Sequence, residues 1–438
     1  MSSSPTPQPA PKGAPAPAAK APAAPSPKAA SAPKATRPLA AASAVPLPGQ
    51  RLVSLDAYRG LTMFAMASSG IGLVAVARQF PDSNIWQRIG YQLDHVPWVG
   101  YSLWDMIQPS FMFIVGVAMV FSCASRAARG ETWGRMALHA VWRSVVLVLL
   151  GIFLRSKHTP QTNFMFEDVL TQIGLGYFFL FMLWNHSPWV QIAAAVALLA
   201  GDWLMFYSWH LPPEGFDYET VGLPADWPHL SGLAAHWDKN TNIAADFDRW
   251  FMNKFPREAP FVASPGGYQT LNFIPSLATM IFGLLAGELL QSGQSAWRKF
   301  GWLVLAGAAA VGAGWALDHW GLCPIVKRIW TPSWTLFSVG WVLLTLASFY
   351  AVVDILGFRR WTFPFIVVGM NSILIYVMAE LLDNWFLGRV RTHFGTEVFT
   401  LWGLVPAIYT PLVQGISLLV IMWLVCFWCY RQKIFIRI

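Results

Sequence analysis

A histidine and an aspartate ten residues apart are the residues of this chain best placed to do chemistry. His95 lies in a short polar stretch, and Asp105 lies at the start of the apolar run that follows it. Ionisable groups at a membrane boundary are costly to keep and by default indicate function. A neutral imidazole can take a proton near neutral pH or carry an acyl group as a nucleophile. The alternative is a purely structural histidine at a helix N-terminus.

Asp105 has two possible partners. It can orient the imidazole of His95, as the carboxylate does in a catalytic triad, or pair with an arginine from another helix. Asp94 is less suited to orienting the ring because side chains of neighbouring residues diverge. Asp94 and Trp98, which flank His95, are instead the predicted contacts for a substrate.

Four polar residues elsewhere are candidates for holding a phosphate-bearing cofactor: Arg59, Arg143, Gln172 and Asn371. A guanidinium group suits a phosphate, and polar groups within apolar spans can line a cavity. Each also has an ordinary structural interpretation. Arg59 can pair with Asp56 three residues earlier, Arg143 can extend to the interface, and the two amides can join helices.

The composition indicates a membrane protein. Only 12% of the 438 residues are charged and 55% are hydrophobic, whereas soluble domains carry roughly a quarter charged residues. The 24 tryptophans fit membrane–water boundaries. The net charge of +8 is spread between apolar runs and the first fifty residues, which excludes a nucleic-acid-binding domain.

Ten apolar runs of bilayer-spanning length predict an all-α polytopic membrane protein with about ten transmembrane helices in a domain at 51–438. The runs are 60–78, 101–124, 136–154, 168–185, 188–207, 270–291, 300–317, 332–353, 362–384 and 404–430. Placing the N-terminus in the cytoplasm puts 17 Lys and Arg residues inside and 12 outside. Both termini are then cytoplasmic, and His95 is on the outer face.

Two segments lie outside the predicted spans. Residues 1–50 hold 13 Pro, 16 Ala and no acidic residue, which predicts a disordered Pro/Ala-rich cytoplasmic tail. The long outer loop at 208–269 mixes Asp and Trp residues, which can contact a saccharide or form the core of a folded lid. Its histidines lack compact ligand spacing, and Cys426 and Cys429 lie within an apolar run, so no metal site is predicted.

Five segments carry a resemblance to a known family. They are RLVSLDAYRG at 51–60, HVPWVG at 95–100 with Asp105, Pro109 and FMFIVG at 111–116, VLTQIG at 169–174, GMNSILIY at 369–376, and YRQKIF at 430–435. In this order and spacing they resemble the motifs of the heparan-α-glucosaminide N-acetyltransferase family. That family comprises the lysosomal transmembrane acetyltransferase and its bacterial relatives, and the resemblance covers roughly 51–438.

The resemblance implies an acetyl-CoA-dependent acyltransferase. Acetyl-CoA would bind from the cytoplasmic side, and the acetyl group would pass to an amino or hydroxyl group of a saccharide on the outer face. His95 matches the family's catalytic histidine, acting either as base or as acetyl carrier. The family also implies a homodimer, and a bacterial-type relative would lie in the inner membrane, in contact with its lipid. A non-catalytic transporter or binding protein on the same scaffold is the alternative.

The chain departs from the family pattern around the predicted site. Gly70 and Val99 stand where the family commonly has asparagine, and Thr171-Gln172 stands for a glutamine–arginine pair. These changes point either to a different acceptor or to a loss of activity.

Overall fold

The computed structural model describes residues 52–436. The predicted tail at 1–50 and the first residue of the opening motif, Arg51, lie outside the described residues. Within 52–436 the secondary structure is helical, apart from isolated bridges that join Val99 and Gly100 to Val326. The prediction of an all-α membrane protein is therefore confirmed for this part of the chain.

Fifteen α-helices, together with short single turns, form the described part of the chain. They are α1 (Val53–Ala67), α2 (Leu73–Ala77), α3 (Asn84–Leu93), α4 (Ile107–Ala128), α5 (Trp133–Arg155), α6 (Val169–Leu183), α7 (Pro188–Tyr207), α8 (Ile243–Met252), α9 (Phe273–Gln291), α10 (Ala296–His319), α11 (Pro332–Phe349), α12 (Phe363–Gly369), α13 (Ser372–Leu381), α14 (Asp383–Phe394) and α15 (Thr410–Arg431).

Seven helical segments within residues 52–436 are long and apolar enough to cross a membrane. They are Trp104–Ala128, Trp133–Arg155, Pro188–Tyr207, Thr270–Gln291, Ala296–His319, Pro332–Ile355 and Ala407–Arg431. Two bent pairs raise the number to nine if each pair is one span: Val53–Ala67 with Ser69–Ala77, bent by 46°, and Arg360–Gly369 with Ser372–Leu381, bent by 67°. All nine coincide with predicted spans.

The one remaining predicted span, 168–185, forms α6, which has only 15 residues. A helix rises 1.5 Å per residue, so α6 is about 22 Å long and shorter than the ~30 Å hydrocarbon core. The carboxylate of Asp168 begins it by accepting hydrogen bonds from the backbone N–H groups of Leu170 and Thr171. The apolar run has spanning length, but this polar cap and the turn at Trp184 shorten the helix within it.

Three helices form the inner part of the bundle and position the candidate site. Helices α4, α9 and α11 pack against one another, and α4 and α9 approach most closely at Gly116 and Gly283. A methyl group on Gly116 would overlap the carbonyl oxygen of Met280, and one on Gly283 would overlap that of Phe113. The two glycines thus allow the backbones of α4 and α9 to touch.

The segments that precede these three helices meet at one end of the bundle. The backbone N–H of Gly100, before α4, donates to the carbonyl of Ile325, before α11, at 2.9 Å. Asn272, before α9, donates from its side-chain amide to the carbonyl of Arg328 at 2.8 Å. The N-termini of α4, α9 and α11 therefore lie side by side, and each contributes the partial positive charge of a helix N-terminus.

We predict that Gly116→Ala lowers stability and disturbs this end of the bundle. The added methyl group must displace the backbone of α9, and overpacking of this kind costs about 1–3 kcal/mol or more. Thermal unfolding of the purified protein, followed by tryptophan fluorescence, should show a lower melting temperature. The matched control is Gly312→Ala in α10, where an added methyl meets nothing within 4 Å. Equal melting temperatures for the two variants would contradict the close packing of α4 on α9.

Candidate functional site

His95 and Asp105 face each other in the structure. The ring nitrogen Nδ1 of His95 lies 2.7 Å from Oδ1 of Asp105. An unprotonated Nδ1 and the carboxylate oxygen would repel each other at this distance. The ring proton is therefore assigned to Nδ1, which leaves a lone pair on Nε2. The Asp105 side chain is 1% exposed and that of His95 is 39% exposed. A buried carboxylate thus orients an imidazole that remains accessible.

A local turn fixes the other oxygen of the carboxylate. Oδ2 of Asp105 accepts hydrogen bonds from the hydroxyl of Ser102 at 3.0 Å and from its backbone N–H at 3.2 Å. The backbone N–H of Asp105 returns a bond to the Ser102 hydroxyl at 3.3 Å. This reciprocal pairing over three residues is the capping-box arrangement of a helix start. The Ser-x-x-Asp pattern therefore holds the carboxylate at the entry to α4.

Lys327 is the third member of the site. Its Nζ lies 3.2 Å from Oδ1 of Asp105, 3.1 Å from the hydroxyl of Tyr268 and 3.0 Å from Nδ1 of His95. Because Nδ1 already carries the proton that it donates to Asp105, we assign the ammonium donors of Lys327 to Asp105 and Tyr268. Lys327 is buried, and its charge compensates the buried carboxylate. Asp105 therefore contacts the imidazole of His95, which was one of its two predicted partners. The other predicted partner was an arginine, and the structure has Lys327 as the cation instead.

Sequence reasoning missed Lys327 and Tyr268. Each is a single polar or aromatic residue in a connection, and Lys327 is 232 residues from His95. One signal could have found them: they lie shortly before α11 and α9, as Asp105 lies before α4. The bridges from Val99 and Gly100 to Val326 bring the connections together.

The two predicted substrate contacts have structural partners. Asp94 forms an exposed ion pair with Arg78 at 3.1 Å, and its other oxygen accepts from the backbone N–H of His95. Trp98 is buried, and its indole donates to the carbonyl of Trp237 at 3.1 Å. The ring of Trp98 packs against Gly267, where a Cβ atom would collide with it. Asp94 therefore stays exposed while it pairs with Arg78, and Trp98 packs against the loop at 208–269.

The long loop at 208–269 folds into a cap whose buried residues share a core with neighbouring segments. Trp237 is fully buried in a cluster with residues from α7, α8 and the connection before α11. Trp209 donates its indole N–H to Asp246 at 2.7 Å. Trp250, in contrast, is 57% exposed. Part of the aromatic content thus forms the core of a lid, and part remains on the surface.

The cap also holds a second imidazole–carboxylate pair. Nδ1 of His229 lies 2.7 Å from Oδ2 of Asp238, and the ring of Tyr218 stacks on His229 with centroids 3.8 Å apart. Nδ1 of His236 bonds to the carbonyl of Trp209. Within residues 52–436, no three His, Cys, Asp or Glu side chains gather as metal ligands. The cap histidines therefore have packing partners of their own.

The four predicted cofactor residues lie in three separate places. Arg59 and Asn371 share the first of these, the break between α12 and α13. Arg59 donates to the carbonyl of Gly369 and to Asp56, both at 2.8 Å. Asn371 is buried at the same break, where its side chain donates to the carbonyl of Ile434 at 3.1 Å. Both residues fix the chain around the bend.

Gln172 and Arg143 occupy the other two places. The amide of Gln172 is buried and donates to the carbonyls of Phe166 and Thr270, at 2.7 and 3.2 Å, beneath the segment before α9. Arg143, on α5, donates to the hydroxyl of Tyr177 at 3.2 Å and lies over its ring. The structure therefore does not gather the four residues into one pocket.

The surroundings of Arg143 fit a phosphate group. Its Nε is buried without a hydrogen-bond partner. Beside it, an open cleft of about 490 Å³ lies between the end of α4 and the start of α5. The cleft is lined by Arg126, Glu131, Arg135, Leu138, His139 and Trp142. Two guanidinium groups, those of Arg126 and Arg135, and the exposed indole of Trp142 line the cleft and suit a nucleotide phosphate and base, although Arg126 also pairs with Glu131.

Two acids with little exposure lie near the connections that lead into α6 and α9. Burial raises the pKa of Glu167 to about 7, against the opposing effects of the Ser264 hydroxyl and Arg155. Burial also raises the pKa of Asp248 to about 6, although its Oδ2 accepts a hydrogen bond from the backbone N–H of Thr270 at 2.9 Å. The protonation of these acids is therefore coupled to folding around neutral pH.

The chain is similar in sequence to two curated proteins. The chain is 24% identical to the heparan-α-glucosaminide N-acetyltransferases of mouse and human, over 376 and 375 residues respectively. Each match covers 77% of this chain and 54% of the relative, so the chain spans about half the length of the curated relatives it matches. No family model matches the chain. The similarity supports the resemblance inferred from the motifs.

We predict that Glu167→Gln stabilises the protein at alkaline pH. Native Glu167 keeps its proton up to about pH 7, whereas the unfolded chain loses it near 4.5. The native state therefore binds more protons between these values, and stability falls as pH rises through this window. Glutamine mimics the protonated form, so the melting temperature of the variant should match the wild type at pH 4 and exceed it at pH 8.

The exposed acid Glu258 provides the control. Glu258→Gln should leave the melting temperature close to that of the wild type at both pH values. A constant difference between Glu167→Gln and the wild type from pH 4 to pH 8 would rule out a proton held by burial.

Proposed function

We propose that this chain is a transmembrane acyltransferase that moves an acetyl group from acetyl-CoA to an amino or hydroxyl group of a saccharide. The observation that carries the proposal is the His95–Asp105 pair, in which a buried carboxylate orients an accessible imidazole at 2.7 Å. The two relatives that bear an N-acetyltransferase name support the same reaction class.

His95 acts through Nε2 in this proposal. As a base, it takes the proton of the attacking amine or hydroxyl, and the developing imidazolium is stabilised by Asp105. As a nucleophile, Nε2 would hold the acetyl group itself. In either role of His95, Lys327 holds the carboxylate of Asp105 in place, and Tyr268 in turn holds Lys327. Acetyl-CoA supplies a thioester, whose thiolate leaves more readily than an alkoxide or amide anion.

The phosphates of CoA are assigned to the cleft beside Arg143. The unpartnered Nε of Arg143 and the neighbouring Arg126 and Arg135 support this placement. The cleft lies at the end of α4 and the catalytic pair at its beginning, so the two sites are at opposite ends of one helix. We propose that the cleft faces the cytoplasm, with both termini, and that His95 faces outward. A homodimer in the bacterial inner membrane completes the proposal.

A transport function is the second candidate, and the two bent helix pairs favour it. Broken helices that pack together form substrate sites in many transporters. Here α1 packs along α12, and these helices are the first halves of the two bent pairs. Uptake of glucosamine into proteoliposomes without consumption of acetyl-CoA would favour transport over acetyl transfer.

We predict that His95→Gln lowers acetyl transfer by at least about 10²–10⁴-fold, the usual effect of removing a general base. The assay follows CoA release with glucosamine as acceptor. The matched control is His229→Gln, which breaks an imidazole–carboxylate pair of the same 2.7 Å length in the cap. The control should keep near wild-type turnover. Normal turnover in His95→Gln would remove His95 from the mechanism.

Mass spectrometry with isotopically labelled acetyl-CoA separates the two roles of His95. Label on the wild-type protein that is absent from His95→Gln indicates an acetyl carrier. Transfer without labelled protein indicates a base.

We predict that Arg143→Gln raises the KM for acetyl-CoA about tenfold or more with a smaller change in kcat. A charge-assisted hydrogen bond contributes about 1.5–3 kcal/mol, and 1.4 kcal/mol corresponds to tenfold in affinity. The control is Arg298→Gln, which removes an exposed arginine at the start of α10. An unchanged KM in Arg143→Gln would place the phosphates elsewhere, with Arg59 as the next candidate.

A further inference from the structure

Two cations beside the catalytic pair bind backbone carbonyls instead of acids. Nζ of Lys239 donates to the carbonyl of Pro265 at 3.1 Å. Nη1 of Arg328 donates to the next carbonyl, that of Gly266, at 2.7 Å, and its Nε donates to the carbonyl of Val96 at 3.1 Å. The two cations therefore contact neighbouring carbonyls of one short loop, and Arg328 also contacts the residue that follows His95.

Neither cation has an acidic partner. Among residues 52–436, no carboxylate oxygen lies within 4 Å of the charged nitrogens of Lys239 or Arg328. The acids of this region have other partners: Asp105 pairs with His95 and Lys327, Asp238 pairs with His229, and Asp248 accepts from the backbone N–H of Thr270.

The two charges also repel each other. Lys239 is 8% exposed, and its burial together with the charge of Arg328 lowers its pKa. Holding two like charges close together in a partly buried place costs free energy unless an anion compensates them. A negatively charged group bound to the two cations would relieve this repulsion.

The remaining groups around the cations are hydrogen-bond donors and aromatic rings. Lys239 lies 4.5 Å from the ring centre of Trp227, whose indole N–H is buried without a partner. Arg328 lies over the ring of Tyr268 at 5.3 Å. The starts of α9 and α11 add positive potential nearby. Donors and positive charge suit an anion, and the aromatic faces suit a sugar ring.

We propose that Lys239 and Arg328 form an anion-binding subsite beside His95 that selects acceptors bearing a carboxylate, phosphate or sulfate group. The proposal rests on the proposed acetyl transfer and names the chemical class of its acceptor. The anion binds the ammonium group of Lys239 and the guanidinium group of Arg328, and the reacting amine or hydroxyl of the same molecule lies at Nε2 of His95.

The test compares glucosamine with glucosamine 6-phosphate as acceptors for the purified protein. The wild type should show a kcat/KM at least about tenfold higher for the phosphorylated sugar. In Arg328→Gln the ratio of the two values should fall towards one, and Arg328→Lys should restore part of it because the charge is kept. High ionic strength should reduce the wild-type ratio. Equal values for both sugars in the wild type, or an unchanged ratio in Arg328→Gln, would overturn the subsite.

The matched control is Lys254→Gln. Lys254 lies over the ring of Trp250 at 5.3 Å, which copies the lysine–tryptophan contact of Lys239 elsewhere in the cap. This variant should keep the wild-type preference. If Arg328→Gln instead raises the KM for acetyl-CoA but not for its 3′-dephospho form, and leaves the acceptor ratio unchanged, the anion belongs to CoA and the subsite is refuted.

A binding measurement separates the subsite from the reaction. Glucosamine 6-phosphate should raise the melting temperature of the wild type more than glucosamine does, and Arg328→Gln should remove the difference. This result in a protein without transferase activity would support the subsite and contradict the proposed function. Transfer to both sugars without any difference in binding would support the function and refute the subsite.

Discussion

The buried carboxylate of Asp105 is the constraint around which this end of the molecule is arranged. A carboxylate that is 1% exposed requires hydrogen bonds and a compensating charge to remain ionised. The turn at Ser102 supplies local donors, and Lys327 supplies the charge from the connection before α11. His95 completes the set on the open side. Two segments far apart in sequence, the one from His95 to Asp105 and the connection that carries Lys327, must therefore meet where Asp105 is buried.

The helix packing makes this meeting possible. Gly116 and Gly283 let α4 and α9 touch, and both helices pack against α11. Each of these helices begins at the same end, so the residues before them converge without a long excursion of the chain. The cap at 208–269 packs against the segments that precede these helices, and the indole of Trp98 donates a hydrogen bond to the carbonyl of Trp237 in the cap. The apolar packing of α4, α9 and α11 thus sets the positions of His95, Asp105 and Lys327, although the packed apolar side chains are not themselves the reactive groups.

The sequence predicted the features that depend on local composition. Hydropathy located the nine straight or bent spans, because each is an apolar run of spanning length. It overestimated α6, where the cap at Asp168 and the turn at Trp184 set the helix length. The ten-residue spacing of His95 and Asp105 was informative because one short loop joins them. Lys327 could not be predicted, since its contact with Asp105 depends on how two connections about 220 residues apart meet in space.

Geometry between an imidazole and a carboxylate does not by itself identify a catalytic histidine. His229 and Asp238 reproduce the 2.7 Å distance of His95 and Asp105, with a similarly buried acid. The ring of His229, however, packs against Tyr218, and both Tyr218 and Asp238 lie within the cap. His95 lies at the start of α4, beside Lys327 and close to Arg328, a cation that lacks an acidic partner. Positive charge stabilises the anion that develops when an acyl group is attacked, and this environment distinguishes His95 from His229.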